Sequence, residues 1–209
     1  MTWGYVLATV INGKRKSNLF VPAVLMLSVP PDIDMFLGNY GVRHQTFTHS
    51  LFFWLITLLP LLLFYRRRFI PYLVAVVQHF AFGDMFLGKI MIFWPFSSAS
   101  FGFNAHMLSI LDVALEITGL FLAAIVIYYN RDWKRLLSID RRNTWMFFPF
   151  LALITSILFF AVDRSLSPLV THILSNTPLS IIVFGHIILG IFLAISTIQG
   201  LRSIFDRAR

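Results

Sequence analysis

The chain has 209 residues, of which 58% are hydrophobic and 12% charged, and its mean hydropathy is +0.79. A soluble domain of this length usually carries about a quarter charged residues, so the composition argues against a soluble protein. It indicates a polytopic membrane protein that folds as one all-α domain over residues 1–209. The net charge of +8 lies mostly in short loops between apolar runs, where it indicates orientation in a membrane rather than binding to nucleic acid. The absence of cysteine excludes disulfides and thiolate metal ligands.

The N-terminal region, residues 1–48, contains two short apolar runs, Met1–Ile11 and Leu19–Val29. Each run has about 11 residues, which is too few to cross a bilayer core alone. The two runs are compatible with a re-entrant pair, an interfacial helix or a short tilted span.

Five later apolar runs are long enough, or nearly so, to cross a core that needs roughly 17–25 helical residues. They are His49–Tyr65, Phe69–Phe93, His106–Tyr129, Trp145–Val162 and Pro178–Leu201. The first three, within residues 49–129, are predicted to form the core of a site, and the last two, within 130–209, to be further membrane helices. The sequence therefore predicts a bundle of five long transmembrane helices.

The basic residues alternate between the loops that join these runs. They cluster at 66–68, at 131–142 and at 202–209, whereas loops 95–105 and 163–177 contain only Arg164. By the positive-inside rule, this alternation places the C-terminus in the cytoplasm. We expect the protein to lie in the plasma or inner membrane. The alternation also places the polar motifs near the ends of the first three runs toward the outer side.

Two carboxylates and two imidazoles, those of Asp32, Asp34, His44 and His49, fall within 18 residues directly before the first long run. Carboxylate oxygens and neutral imidazole nitrogens are ligands that zinc, manganese and iron accept. Thr48 is a good N-cap, so we expect a helix to begin at His49. Both imidazoles would then converge outside the helix N-terminus, where the two aspartates also lie. The pattern predicts a metal site, although Pro-Asp is also ordinary turn chemistry.

His79 and Asp84 are ionisable residues within the second run, and they are separated by five positions. On a regular α-helix they would point about 140° apart, because each residue turns the helix by about 100°. A shared metal site therefore predicts a local distortion such as a π-bulge near Ala81–Gly83. The alternative is a core histidine bonded to a neighbouring helix, with Asp84 at a water-filled interface.

Asp112 and Glu116 are spaced i, i+4 and so share one face of the third predicted helix. Two carboxylates on one face repel each other unless a cation or a shared proton lies between them. They are candidates for metal ligands, for groups that orient metal-bound histidines, or for a proton relay. The alternative is ion pairing with Arg43, Lys89 or Arg164.

The order of these motifs resembles the YdjM-type family of membrane-bound metal-dependent hydrolases. The resemblance rests on the segments Pro31–Asp34, Arg43–Leu51, Gln78–Asp84 and Phe93–Phe96, within residues 18–120. It implies six metal ligands: Asp32, Asp34, His44, His49, His79 and Asp84. The family is thought to be distantly similar to the zinc-dependent phospholipase C superfamily, an all-helical fold that hydrolyses phosphoesters. Two departures are the absence of a histidine before His44 and Gln45 in place of an arginine.

Taken together, motifs and resemblance predict a membrane hydrolase that uses zinc, or manganese, to activate water near the outer membrane surface. The expected substrate is a phosphoester or ester of a lipid or another amphiphile. Asp112 or Glu116 is the candidate general base or orienting group. Two alternatives remain: a non-catalytic membrane protein stapled by a metal, and a transporter for divalent cations or protons.

Overall fold

The computed structural model of the protein describes residues 1–13, 19–29, 31, 32, 34, 46–104, 109–163 and 176–206. Within these ranges every regular element is helical, and the β contact found there is an isolated antiparallel bridge between Ile90 and Phe101. The all-α prediction is therefore confirmed. The chain divides into two compact units, Met1–Leu115 and Glu116–Arg209, and each is described by itself.

The first unit consists of helices joined by tight helical turns. The helices are α1 (Thr2–Asn12), α2 (Val21–Leu27), α3 (Leu51–Tyr65), α4 (Ile70–His79), α5 (Met85–Leu87) and the first turns of α6 (Ile110–Asn130). Two 3₁₀ turns, Phe47–His49 and Arg66–Arg68, flank α3, and a π-helical turn, Phe80–Asp84, joins α4 to α5.

The second unit contains the rest of α6 followed by three helices. They are α7 (Asp132–Leu136), α8 (Phe147–Asp163) and α9 (Thr177–Phe205), with a 3₁₀ turn at Arg141–Met146. That turn packs against α9 at Gly200, where an added Cβ would lie 2.1 Å from the backbone nitrogen of Thr144. The side chain of Asn143 stabilises the same turn, because its Nδ2 donates to the carbonyls of Arg135, Leu136 and Ser138.

Among the described helices, α6 and α9 are long and apolar enough to cross a membrane, with mean hydropathies of 2.3 and 2.5. They correspond to the third and fifth predicted spans. Helices α3 and α8 contain 15 and 17 residues, so the first and fourth spans stay predictions. The second predicted span is shorter than expected, because its helix ends at Leu87, before Gly88 with its extended backbone.

Helix α3 begins two residues later than predicted. Ser50 is its N-cap, and the Ser50 side chain accepts a hydrogen bond from the backbone of Phe53. The prediction that Thr48 caps the helix is wrong, because the Thr48 hydroxyl donates to the Oδ2 of Asp34, at 2.6 Å. His49 consequently lies in the 3₁₀ turn before α3 rather than in the helix.

The core of the first unit lies between α3, α4 and the loop after α5. Its buried side chains are Trp54, Leu58, Phe69, Val76, Phe80 and Ile90. Helix α1 packs closely on the end of α2 at Gly4, where an added Cβ would lie 1.9 Å from the Oγ of Ser28. This packing fixes the position of the Ser28 backbone beside α4.

Candidate metal centre

Four side chains from three separate segments meet within the first unit. Asp32 follows α2, His49 precedes α3, His79 is the last residue of α4, and Asp84 is the last residue of the π turn. One nitrogen or oxygen atom from each residue lies within 4.8 Å of the corresponding atoms of the other three. The structure therefore brings together two carboxylates and two imidazoles, the donor set expected for a divalent metal.

The π turn is the reason that His79 and Asp84 reach the same point. Residues Phe80–Asp84 form a π-helix, which has more residues per turn than an α-helix and so compensates for the five-residue spacing. The Nε2 of His79 lies 3.2 Å from the Oδ2 of Asp84. The predicted distortion near Ala81–Gly83 is thus confirmed.

His49 is fully buried, and its ring is held from behind. Its Nδ1 lies 3.2 Å from the Oδ2 of Asp34 and 3.1 Å from the Oγ1 of Thr48. Since the Thr48 hydroxyl donates to Asp34, the carboxylate is the acceptor that favours a proton on Nδ1. In a neutral imidazole this leaves the Nε2 lone pair facing the cluster.

His79 is oriented in the same way by a backbone carbonyl. Its Nδ1 lies 3.0 Å from the carbonyl oxygen of Ser28. A carbonyl oxygen can only accept a hydrogen bond, so Nδ1 carries the proton and the neutral ring presents its Nε2 lone pair. Both imidazoles therefore point a metal-binding atom toward the two carboxylates.

The distances within the cluster suit a small divalent ion. The Oδ2 of Asp84 is 3.2 Å from the Nε2 atoms of both histidines, and the Oδ1 of Asp32 is 3.2 Å and 3.6 Å from those of His79 and His49. Ligand atoms around a tetrahedral zinc ion with bonds of about 2.0 Å lie roughly 3.3 Å apart. Within the described chain, the buried Oδ2 of Asp84 makes no hydrogen bond. This oxygen is placed to bind a cation.

The cluster is open on the side of Asp32. The Asp32 side chain is 32% exposed, whereas that of His49 is 0% exposed. Burial opposes ionisation of Asp32. When no metal holds their Nε2 atoms and the rings of His49 and His79 are protonated, their hydrogen bonds and charges outweigh burial and hold the pKa of this carboxyl well below its ordinary value. Asp32 is therefore an ionised ligand at neutral pH that solvent can reach.

The turn that carries His49 is fixed on both sides. Trp54 Nε1 donates to the carbonyl of Thr48 at 2.6 Å. The Ser50 hydroxyl donates to the carbonyl of Trp94, and the Leu51 backbone donates to that of Ile92 at 2.9 Å. These bonds attach the turn to α3 and to the loop after α5, so the His49 ring is positioned by the fold.

The remaining predicted site residues lie elsewhere or behind the cluster. Asp34 contacts His49 Nδ1, on the far side of the ring from the other three ligands. His44 lies outside the described residues. Asp112 lies in the first turn of α6, where its backbone nitrogen donates to the Oγ of Ser109. Glu116 belongs to the second unit, where its Oε2 is 3.9 Å from the Nε2 of His186.

Two residues that orient the histidines were not predicted for that role. Thr48 lies within the segment Arg43–Leu51, where the sequence pattern predicts that its hydroxyl caps a helix. Ser28 orients His79 through its backbone carbonyl. Every residue has such a carbonyl, so the sequence gives no signal for this role. Its own hydroxyl donates instead to the Val24 carbonyl within α2.

A family model described as YdjM inner membrane protein matches residues 1–167 of the chain. The chain belongs to the YdjM inner membrane protein family. Membership confirms the resemblance seen in the sequence motifs and, together with the apolar helices α6 and α9, supports a membrane location. Searches among curated proteins and among solved structures found no significant match. All four clustered residues of this YdjM family member lie within the matched range.

Proposed function

We propose that this YdjM family member is a membrane-embedded metal-dependent hydrolase that cleaves a phosphoester or ester of a lipid or another amphiphile. The observation that carries the proposal is the convergence of Asp32, His49, His79 and Asp84 around one point, with both imidazoles held in the metal-binding tautomer. A preorganised set of ligands whose most accessible member, Asp32, is reached by solvent suits a metal that must also contact water and substrate.

In this mechanism each residue of the cluster has a defined task. Asp32, His49, His79 and Asp84 would hold the metal, which would lower the pKa of a water molecule and polarise the scissile group. Asp34 keeps the proton on Nδ1 of His49, and the Ser28 carbonyl keeps the proton on Nδ1 of His79. Asp32, as the exposed carboxylate, is the group nearest to entering substrate. The general base, for which Asp112 and Glu116 are candidates, stays a prediction.

The proposed setting is a multi-pass protein of the inner membrane with five long spans and a cytoplasmic C-terminus. The support comes from the family, from the two apolar helices and from the alternation of basic residues along the sequence. In this orientation the metal centre faces the outer side of the membrane. We propose zinc as the metal, with manganese as the alternative, because both accept mixed nitrogen and oxygen ligands.

A non-catalytic metal staple is a second candidate, and one observation favours it. Four protein ligands complete a tetrahedral coordination sphere, which is the usual arrangement of structural zinc sites. The ligands also come from three segments that a metal would tie together: the stretch after α2, the turn before α3, and the π turn. The staple and the hydrolase use the same metal ligands and differ in whether a water molecule can also coordinate the metal.

The first experiment is the metal content of the purified protein, measured by inductively coupled plasma mass spectrometry and followed by a screen of phosphoester and ester substrates. We compare the wild-type protein with His49→Ala/His79→Ala, using Asp140→Asn in the second unit as a matched control for removal of an acidic group. Metal in the wild type and control but not in the double variant, with turnover that depends on it, supports the hydrolase. Stable metal without turnover supports the staple, and no binding after loading with zinc or manganese contradicts both.

A further inference from the structure

The loop after α5, residues 88–104, forms an aromatic lobe with no charged residue from position 90 to position 104. Two of its rings are almost entirely uncovered, with Phe96 76% and Phe103 73% exposed. Three more rings, those of Phe93, Trp94 and Phe101, are each about two-fifths exposed. A loop that ends in water is normally polar, so this surface requires an apolar environment.

The aromatic lobe is an ordered structure whose backbone is internally bonded. Ile90 and Phe101 exchange two hydrogen bonds, of 3.0 Å and 2.9 Å, and the Phe103 backbone donates to the Met85 carbonyl at 2.6 Å. Ile90 is fully buried beneath these bonds, and the rings of Phe93 and Phe101 meet edge to face at 5.4 Å. The exposed rings are therefore held outward by a fixed support.

The aromatic lobe is continuous with the exposed apolar face of α3. Phe52, in the first turn of α3, contacts Phe96 at 4.9 Å and Phe93 at 6.3 Å between ring centroids. Farther along α3, Ile56 is 66% exposed. A single apolar surface thus runs from the exposed side of α3 onto the lobe, which indicates that lipid covers both.

The same lobe is bonded to the turn that carries His49. Its carbonyls at Ile92 and Trp94 accept hydrogen bonds from Leu51 and Ser50, the two residues after His49. The depth at which the lobe sits in a bilayer therefore sets the depth of the metal centre.

We propose that the aromatic lobe is a lipid-binding surface that inserts into the interface of the outer leaflet and places the metal centre at the level of the phospholipid headgroups. Tryptophan and other aromatic rings favour this zone of a bilayer, and the serines and the asparagine of the lobe can reach its polar boundary. Insertion of the lobe into a bilayer interface goes beyond the proposed function and does not depend on it, whereas the choice of the outer leaflet rests on the orientation proposed there. The consequence that a glycerophospholipid headgroup is the substrate rests on the proposed function.

The test is a measurement of depth in vesicles of phosphatidylcholine and phosphatidylglycerol. Because the natural chain contains no cysteine, single reporters can be introduced at Phe96→Cys and Phe103→Cys and labelled with an environment-sensitive fluorophore. Ile188→Cys, on the exposed side of α9, is the lipid-facing control, and Arg141→Cys, in a charged loop, is the control in water. Quenching is compared between aqueous iodide and nitroxides attached at shallow or deep positions of phosphatidylcholine.

We expect both lobe reporters to lose most emission to shallow lipid nitroxides and little to iodide. Iodide quenching equal to that of the Arg141→Cys control would place the lobe in water and overturn the proposal. Protection from both quenchers that disappears when the protein is diluted in lipid would show that a second copy covers the lobe, which also overturns it. Two reporters are used because a single substitution can perturb its own surroundings, and agreement between the two separates that effect from the depth of the lobe.

A second measurement links the lobe to the substrate. We expect Phe96→Ser/Phe103→Ser to retain wild-type metal content and wild-type turnover of a short-chain, water-soluble phosphoester, while turnover of vesicle phospholipid falls. Equal losses on both substrates would contradict the role in lipid access. If the wild-type protein hydrolyses neither substrate, the proposed function fails, whereas the quenching result still decides whether the lobe inserts.

Discussion

The orientation of His49 by Asp34 can be tested through metal affinity. The Oδ2 of Asp34 lies 3.2 Å from Nδ1 of His49, on the side of the ring that faces away from the cluster. Loss of such an outer partner typically weakens metal binding by about 10–100-fold, which is about 1.4–2.8 kcal/mol. We expect Asp34→Asn near the lower limit, since an amide oxygen can still accept the Nδ1 proton. Asp34→Ala should fall near the upper limit.

A double-mutant cycle distinguishes an orienting residue from a ligand. If Asp34 acts through the ring of His49, Asp34→Asn should change zinc affinity by less than about twofold in a His49→Ala background. The assay is competition with a chromophoric chelator in detergent, with metal content measured in parallel. Asp140→Asn is the control, because Asp140 pairs with Arg142 at 2.8 Å on an exposed loop of the second unit.

An additive result would refute this reasoning. If Asp34→Asn weakens binding by the same factor with and without the His49 ring, Asp34 contacts the metal directly, as the family resemblance implies. A spectroscopic measurement provides an independent check, because ¹⁵N shifts of the His49 ring report which nitrogen carries the proton. We expect the Nδ1–H form in the zinc-loaded wild-type protein and a mixture of both tautomers in Asp34→Asn.

Three further predictions concern packing and are measured by thermal unfolding in detergent. Gly200→Ala should lower the free energy of unfolding by about 1–3 kcal/mol, because its Cβ would lie 2.1 Å from the backbone nitrogen of Thr144. The control Gly190→Ala should be nearly neutral, because the nearest atom to its Cβ is 3.5 Å away. Equal effects of the two substitutions would argue against the contact at Gly200. Asn143→Ala should lower the free energy of unfolding by about 1–3 kcal/mol, since three backbone carbonyls lose the Asn143 Nδ2 that they share as a donor. An unchanged melting temperature would show that water replaces this donor. Gly4→Ala should lower both the melting temperature and zinc affinity, because its Cβ would lie 1.9 Å from the Ser28 hydroxyl. Adding Ser28→Gly should restore both, and failure to do so would place the strain elsewhere.

The π turn illustrates what sequence spacing can predict. The five-residue separation of His79 and Asp84 is incompatible with a shared face on an α-helix, so the metal hypothesis required a distortion between them. The structure has this distortion at Phe80–Asp84. The prediction was possible because the direction of each side chain on an α-helix follows from its position. If His79 and Asp84 must share a face, the helix between them must depart from α-helical geometry.

The relation between Asp34 and His49 could not be predicted in the same way. Both residues lie in irregular segments, where no period relates sequence position to side-chain direction. The Asp34 carboxylate is oriented by the hydrogen bond that it accepts from the Thr48 hydroxyl. Sequence propensity instead predicted that the Thr48 hydroxyl caps a helix. Serine ranks somewhat above threonine as an N-cap, but both are favoured there, and in this chain tertiary contacts hold Thr48 away from the cap and Ser50 in it. One of them is the bond from Ser50 to the Trp94 carbonyl.

The contrast between His49 and Asp32 bears on the choice between catalysis and stapling. A staple gains from burying every ligand, since exchange with water weakens it, and His49 meets that condition with no exposed side-chain area. Asp32 does not, because about a third of its side chain is exposed. A carboxylate can move between one-oxygen and two-oxygen coordination or release one position to water without leaving the metal, which an imidazole cannot do. The most exposed ligand is therefore also an adaptable one, and this combination favours a site at which water and substrate exchange.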